Sequence, residues 1–230
     1  MQKVKDKLST IVIILMLVTG LLIMLYPTIS NYINEQNASR VIDDYNKRYS
    51  QMSDEEYQKY LSKYEKYNEN LRMAKEIIFI NGDAESPEYI ELMEMTEDEV
   101  MGYLEIEKLE VSLPIYFGTS ENVLQKSVGH LEGSSLPIGG NGNHSVIIGH
   151  SGIANAEIFS DLDQMEIGDM FSIICFGKKL VYKVDNILVV LPDEIKDLQM
   201  VEGKDYVTLL TCTPYAVNTH RLLVRGIRIE

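Results

Sequence analysis

Residues Val207 to Gly226 read VTLLTCTPYAVNTHRLLVRG: an apolar run, a Thr-Pro turn, and a second apolar run carrying His220, Arg221 and Arg225. The first run ends at Cys212 and the second starts near Arg221, so the stretch predicts a strand, a polar loop and a return strand. The same grammar fills the second half of the chain. VMGYLEIEKLEVSLPIYFG (100–118), HSVIIGH (144–150), DMFSIICF (169–176), KLVYKVDNILVVLP (179–192) and RLLVRGIRIE (221–230) are short β-type runs bounded by Gly, Asn, Asp and Pro. Only AEIFSDLDQM (156–165) breaks the pattern, with a helical turn or two. The reading is mostly β, a barrel or sandwich over 100–230.

Upstream the patterning changes. GDAESPEYIELMEMTEDE (82–99) is acidic and reads as a loop with a short helix. Before it, Ser53 followed by Glu56 is a capping-box signal, and Tyr57, Tyr60, Leu61, Tyr64 and Leu71 recur at three- and four-residue spacings. An amphipathic helix follows from that spacing, with another over 29–49. Together 27–99 is expected to be a helical stalk that lifts or packs on the domain, and a possible atypical lid region. Leu8 to Tyr26 is a largely apolar run of 19 residues without a charge, behind Lys3, Lys5 and Lys7. That is close to the length that spans a bilayer, and no small-x-small cleavage site follows it. The expectation is an uncleaved single-pass anchor over 8–26, a cytoplasmic tail over 1–7 and an extracellular domain beyond.

The chain has 230 residues, 45% of them apolar, with 21 Lys and Arg against 35 Asp and Glu, for a net charge of −14. That length is ample for a core, and the charge argues against nucleic acid, whose phosphates need clustered cations. The four histidines and two cysteines show no C-x-x-C, H-E-x-x-H or H-x-H spacing, so neither metal nor cofactor is expected. Cys175 lies in a strand pattern and reads as a small packed hydrophobe. Cys212 ends a strand, and is expected to be free rather than bridged to Cys175.

A cysteine attacks as thiolate, so it needs a base and some exposure. His150 also ends an apolar strand run, 62 positions before Cys212, so two strand ends facing one groove would join them. His144 reads as a turn or surface residue, and His130, the better competitor, as part of a loop. Arg221 follows Cys212 by nine positions, and its guanidinium fork suits a developing oxyanion. Arg225 and Arg228 are alternatives. Each residue taken singly also fits a bland role: a buried thiol, a turn histidine, a salt-bridged surface arginine.

The arrangement as a whole resembles the sortase family, in particular its class C, pilin-polymerising branch. The T-L-x-T-C signature stands as Thr208-Leu209-Leu210-Thr211-Cys212 with Arg221 downstream, and the likeness runs through FSDLDQMEIGD and GKDYVTLLTCTP over roughly 100–230. The resemblance implies a closed sortase-type β-barrel with short helices on a membrane anchor. It implies a cysteine transpeptidase in which Cys212 attacks the Thr carbonyl of an LPxTG-like sorting signal, His150 is acid and base, and Arg221 holds the signal. The acceptor would be a pilin lysine, or a cell-wall peptide amine in a housekeeping-like sortase; a non-catalytic pilin-binding scaffold is the rival outside the enzymes. The chain departs from the class C pattern in three places. No Asp-Pro-aromatic lid tripeptide lies between Leu71 and Met101, no second span precedes Glu230, and Ser151 stands where the family often has Arg.

Overall fold

The structure is a computed structural model that describes residues 2–74, 77–151, 158–194, 196–215 and 217–229, the side chains of 2–10 and of Glu97 excepted. Eight strands close into one barrel. They are β1 (Val100–Ile106), β2 (Val111–Phe117), β3 (Val128–His130), β4 (Asn143–Ile148), β5 (Met170–Cys175), β6 (Lys178–Val190), β7 (Asp205–Thr213) and β8 (His220–Arg228). Their spatial order is β1-β2-β3-β4-β7-β8-β6-β5, with β5 returning to β1. Two pairs, β2 with β3 and β4 with β7, are parallel; the other pairs are antiparallel.

The period of two decides what each strand buries. On β7, Val207 and Leu209 join the main core, while Leu210 packs on a second cluster with Val146, Val190 and Leu223 on the other face. Cys212 shares the parity of Leu210, so it belongs to that outer face. The β5–β6 hairpin turns through Phe176 (φ 50°) and Gly177 (φ 73°). Two positive φ values in a two-residue loop match the right-handed twist of the strands, and glycine adopts them without steric cost. Phe176 holds this unusual conformation for a bulky residue because its ring is gripped on several sides: Tyr64, Tyr49 and Tyr60 lie 4.7, 5.5 and 5.8 Å from it. Its N–H donates to the Tyr45 hydroxyl at 2.7 Å.

Those tyrosines come from the N-terminal helices. Helix α1 (Gln2–Ser50) runs unbroken through Pro27. Its apolar residues from Ile11 to Tyr26 are exposed, and it is the one described helix long and apolar enough to cross a membrane. From Ala38 onward it docks, burying Ile42, Tyr45 and Tyr49 against the barrel, with the Tyr45 hydroxyl donating to the Met101 carbonyl at 3.1 Å. Helix α2 (Asp54–Met73) starts at the predicted capping box, with both the Ser53 and Glu56 side chains bonded to each other's backbone N–H. It buries Tyr64, Tyr67 and Asn68, and the Asn68 amide bonds both polar groups of the Leu136 backbone. Helix α3 (Pro87–Glu94) begins beneath the buried Glu132 carboxylate, which accepts from the N–H groups of Glu85 and Ser86 at 2.9 and 2.8 Å. A carboxylate there meets the positive end of the helix and satisfies donors that have no intrahelical partner. In the stretch read as a stalk, the end of α1 from Ala38, α2 and α3 thus each bury residues in the barrel's packing.

Candidate active site

The parallel pairing of β4 with β7 sets Ile148 beside Leu210, and the Gly149 N–H then donates to the Leu210 carbonyl at 3.1 Å. Continuing that register by two residues brings His150 alongside Cys212. On the other side β8 runs antiparallel, with Arg221 directly opposite Cys212. Three strand ends therefore gather the three residues at one rim of the barrel.

Side chains lock the rim. The Thr211 hydroxyl donates to the Gly149 carbonyl at 2.7 Å, and the Ser151 hydroxyl donates back to the Cys212 carbonyl at 2.6 Å. The Phe159 N–H caps the His150 carbonyl at 2.9 Å. Gly149 is required there, since a Cβ would stand 2.6 Å from the Phe159 ring. Cys212 is half-buried and free, in a cleft of about 20 Å³ walled by Ser151, Phe159, Asp163, Tyr215 and Leu222. That is enclosed room for about one water molecule. A larger cavity of about 270 Å³ lies between α1 and β2, near Asn31 and Lys126, and its walls carry neither cysteine nor histidine.

The remaining candidates are sorted by burial and partners. Cys175 is also free, but it sits at the far end of β6 from Arg221, and burial pushes its thiol well above the ordinary range. His130 is not in a loop: it is the last residue of β3, fully buried, bonded to the Tyr89 hydroxyl at 2.8 Å and the Ser135 carbonyl at 2.9 Å. His144 is not at the surface: it is buried in β4, between the Thr208 hydroxyl at 2.8 Å and the Gln199 carbonyl at 3.0 Å. Burial lowers both to about 4, so both are neutral structural imidazoles at physiological pH. Among the arginines, Arg225 forks onto Asp185 at 2.9 and 3.0 Å and stacks on Tyr206, and Arg228 pairs with Asp205 at 3.5 Å. Arg221 differs: among the described residues its guanidinium meets only the Asn218 and His220 carbonyls, at 3.3 and 3.1 Å.

Two features near the rim were not singled out in the sequence. Glu121, first residue of α4 (Glu121–Leu124), places a carboxylate oxygen 3.4 Å from His150 Nε2. Phe79 packs against the outer-face cluster of Leu131, Val146, Leu198 and Leu223, over the face that Leu210 shares with Cys212. Its neighbour Ile80 bridges to Glu132, with an N–H···O distance of 3.0 Å.

A closed barrel whose parallel strand pair ends in a thiol and an imidazole, with a guanidinium opposite that meets carbonyls rather than a carboxylate among the described residues, defines a thiol-chemistry site on a rigid β scaffold. The chain belongs to the sortase family: the model of the sortase domain matches residues 104–229. Sortase C1 from Streptococcus agalactiae is 44% identical, with a TM-score of 0.76 over 83% of this chain and 98% of that one. Clostridium perfringens sortase C, solved with the C-terminal cell wall sorting motif, is 43% identical, with a TM-score of 0.73 over 84% and 100%. Streptococcus pneumoniae sortase C, whose structure is described as bearing on catalysis and pilin substrate specificity, is 39% identical, with a TM-score of 0.75 over 83% and 97%. The chain spans about half the length of the curated relatives it matches, sortases D and A among them, at 28% and 26% identity.

Proposed function

We propose that this chain is a membrane-anchored class C transpeptidase that cleaves an LPxTG-like sorting signal through a thioester on Cys212. His150 protonates the leaving amine and deprotonates the incoming one, while Arg221 holds the signal and steadies the oxyanion. The acceptor is a pilin lysine. The single observation that carries this reading is the register around β7, with Arg221 opposite Cys212 and β4 ending beside it. Likeness to sortases C, one of them solved with a sorting motif, supports the substrate class. The exposed apolar stretch of α1 supports the anchor, with residues 1–7 cytoplasmic and the barrel outside. The 27–99 region, which sets Phe79 on the outer-face cluster and lacks the Asp-Pro-aromatic tripeptide, includes an atypical lid.

The deciding experiment incubates the full chain in detergent with an LPxTG-type peptide and weighs the intact protein. A mass gain equal to the peptide's acyl part, absent in Cys212→Ala, is expected. Turnover that persists in Cys212→Ala would overturn the nucleophile, and the wild type remaining unmodified across LPxTG-type peptides would favour the non-catalytic pilin-binding scaffold.

A further inference from the structure

His150 carries an unexplained polar atom. Its Nε2 is shut off from solvent and makes no hydrogen bond of good geometry among the described residues, although Glu121 Oε2 stands 3.4 Å away. A buried ring nitrogen without a partner is costly, and such atoms in native structures usually have a reason. Catalytic hydrogen bonds are often long in unliganded enzymes and tighten with substrate. The other oxygen of Glu121 is already held: the Gln125 amide donates to Oε1 at 3.0 Å. Gln125 first, and the imidazole second, hold the Glu121 carboxyl below its ordinary range, so it is a carboxylate at neutral pH. The local sequence explains its position. Ser120, in extended conformation, caps a single helical turn directly after the Phe117–Gly118 end of β2, and the first residue of that turn is Glu121.

Building on the transpeptidase reading, we propose that Glu121 is a positioning residue that accepts the Nε2–H of His150 and so directs Nδ1 to the thiol. A histidine bound at one nitrogen is fixed in tautomer and ring orientation, which leaves the other nitrogen to exchange protons. The thiol proton passes from Sγ to Nδ1, and the thiolate adds to the Thr carbonyl carbon. The C–N bond to glycine breaks as Nδ1–H protonates the leaving amine, and the thioester remains. In the second half the incoming amine nitrogen adds to the thioester carbon and yields a proton to Nδ1, the new C–N bond stays as the C–S bond breaks, and the expelled thiolate recovers that proton. Throughout, Nε2–H stays on Glu121, which is not itself protonated. The other charged groups at the cleft are Arg221, opposite Cys212, and Asp163 in its wall. Neither is at ion-pair distance from the ring, so among the described residues Glu121 is the carboxylate that faces it.

The test compares wild type, Glu121→Ala and Glu121→Gln as full chains in detergent, with two readouts. Ring nitrogen-15 shifts of His150, assigned by their loss in His150→Gln, give its neutral tautomer. Thioester formation with an LPxTG-type peptide gives the rate and the half-saturating peptide concentration. Expected are an Nε2–H tautomer in wild type, a move toward Nδ1–H in Glu121→Ala, and most of the wild-type tautomer back in Glu121→Gln, which keeps an oxygen acceptor. The rate in Glu121→Ala falls roughly three- to tenfold, because an exposed carboxylate couples modestly, with half-saturation unchanged. An unchanged tautomer in Glu121→Ala overturns the proposal, as does a moved tautomer with an unchanged rate. If wild type forms no Cys212 adduct at all, the transpeptidase reading fails by itself, and the tautomer comparison still decides whether Glu121 holds His150.

Discussion

Thr211 and Ser151 tie two strand ends to each other from opposite sides, each hydroxyl reaching the backbone of the partner strand. The two bonds differ in consequence. Thr211 is buried, so removing its hydroxyl leaves the Gly149 carbonyl without that donor, at a cost of about 1–3 kcal/mol. Thr211→Val, nearly isosteric, is expected to lower the melting temperature by several degrees and slow thioester formation, since Gly149 precedes His150. An unchanged rate beside a lowered melting point would limit Thr211 to folding. The trio itself was legible in sequence because strand ends, a Thr-Pro turn and the signature around Cys212 leave local marks. The environment of each histidine was not. His144 follows a glycine-rich polar turn, GGNGN, and reads as surface. What buries it are Thr208 and the Gln199 carbonyl, 64 and 55 positions away. Glu121 hides for the same reason, as a charge in GTSENVLQ whose partner is 29 positions on.

At the scale of elements, Phe79 and Ile80, in the segment after α2, are held against the barrel, Phe79 on its outer-face cluster and Ile80 bridged to Glu132. Phe79 fills a niche over Leu131, Val146, Leu198 and Leu223, and Leu210 at its edge is two residues, about 7 Å, from Cys212 along β7. An extended peptide laid on that face would compete with Phe79 for it. Phe79→Ala is therefore expected to raise the rate of Cys212 acylation several-fold while costing about 1–2 kcal/mol of stability, as befits a half-buried ring. Equal rates in the two proteins, measured by adduct formation over time, would show that the segment is packing alone. Sequence patterning gave every strand except the three-residue β3, read as loop, together with the capping box at Ser53 and the amphipathic helix, because each of these rests on residues within one element. It gave no docking partner for that helix. The tyrosines of α1 and α2 close on Phe176, a turn residue more than 100 positions downstream of them, and no local period encodes such a meeting.

At the scale of the molecule, the two buried histidines couple the fold to pH. His130 and His144 are both lowered from 6.5 to about 4 by burial, and both spend their ring nitrogens on fixed partners in the barrel wall. The unfolded chain takes up these protons near pH 6.5, whereas the native chain resists until about 4. Between those values the unfolded state binds more protons, so stability rises with pH there and is lost as pH falls. Each histidine contributes on the order of 3 kcal/mol to that loss, and two together rival the whole stability of a typical domain. Glu91 and Asp169, held below their ordinary range by Lys63 and Lys108, add to acid lability only at lower pH. Asp205 acts in the opposite direction, since burial raises its carboxyl and the native state protonates it first, which softens the fall near the acid end. The melting temperature of the full chain is expected to be level above about pH 7 and to drop steadily toward pH 4.5. His144→Gln, which keeps hydrogen-bonding capacity without a titrating ring, starts lower and slopes less across that window. A wild-type melting temperature that stays flat from pH 7 to 4.5 would mean that these imidazoles reach solvent, and that the wall carrying β3 and β4 opens more readily than its packing implies.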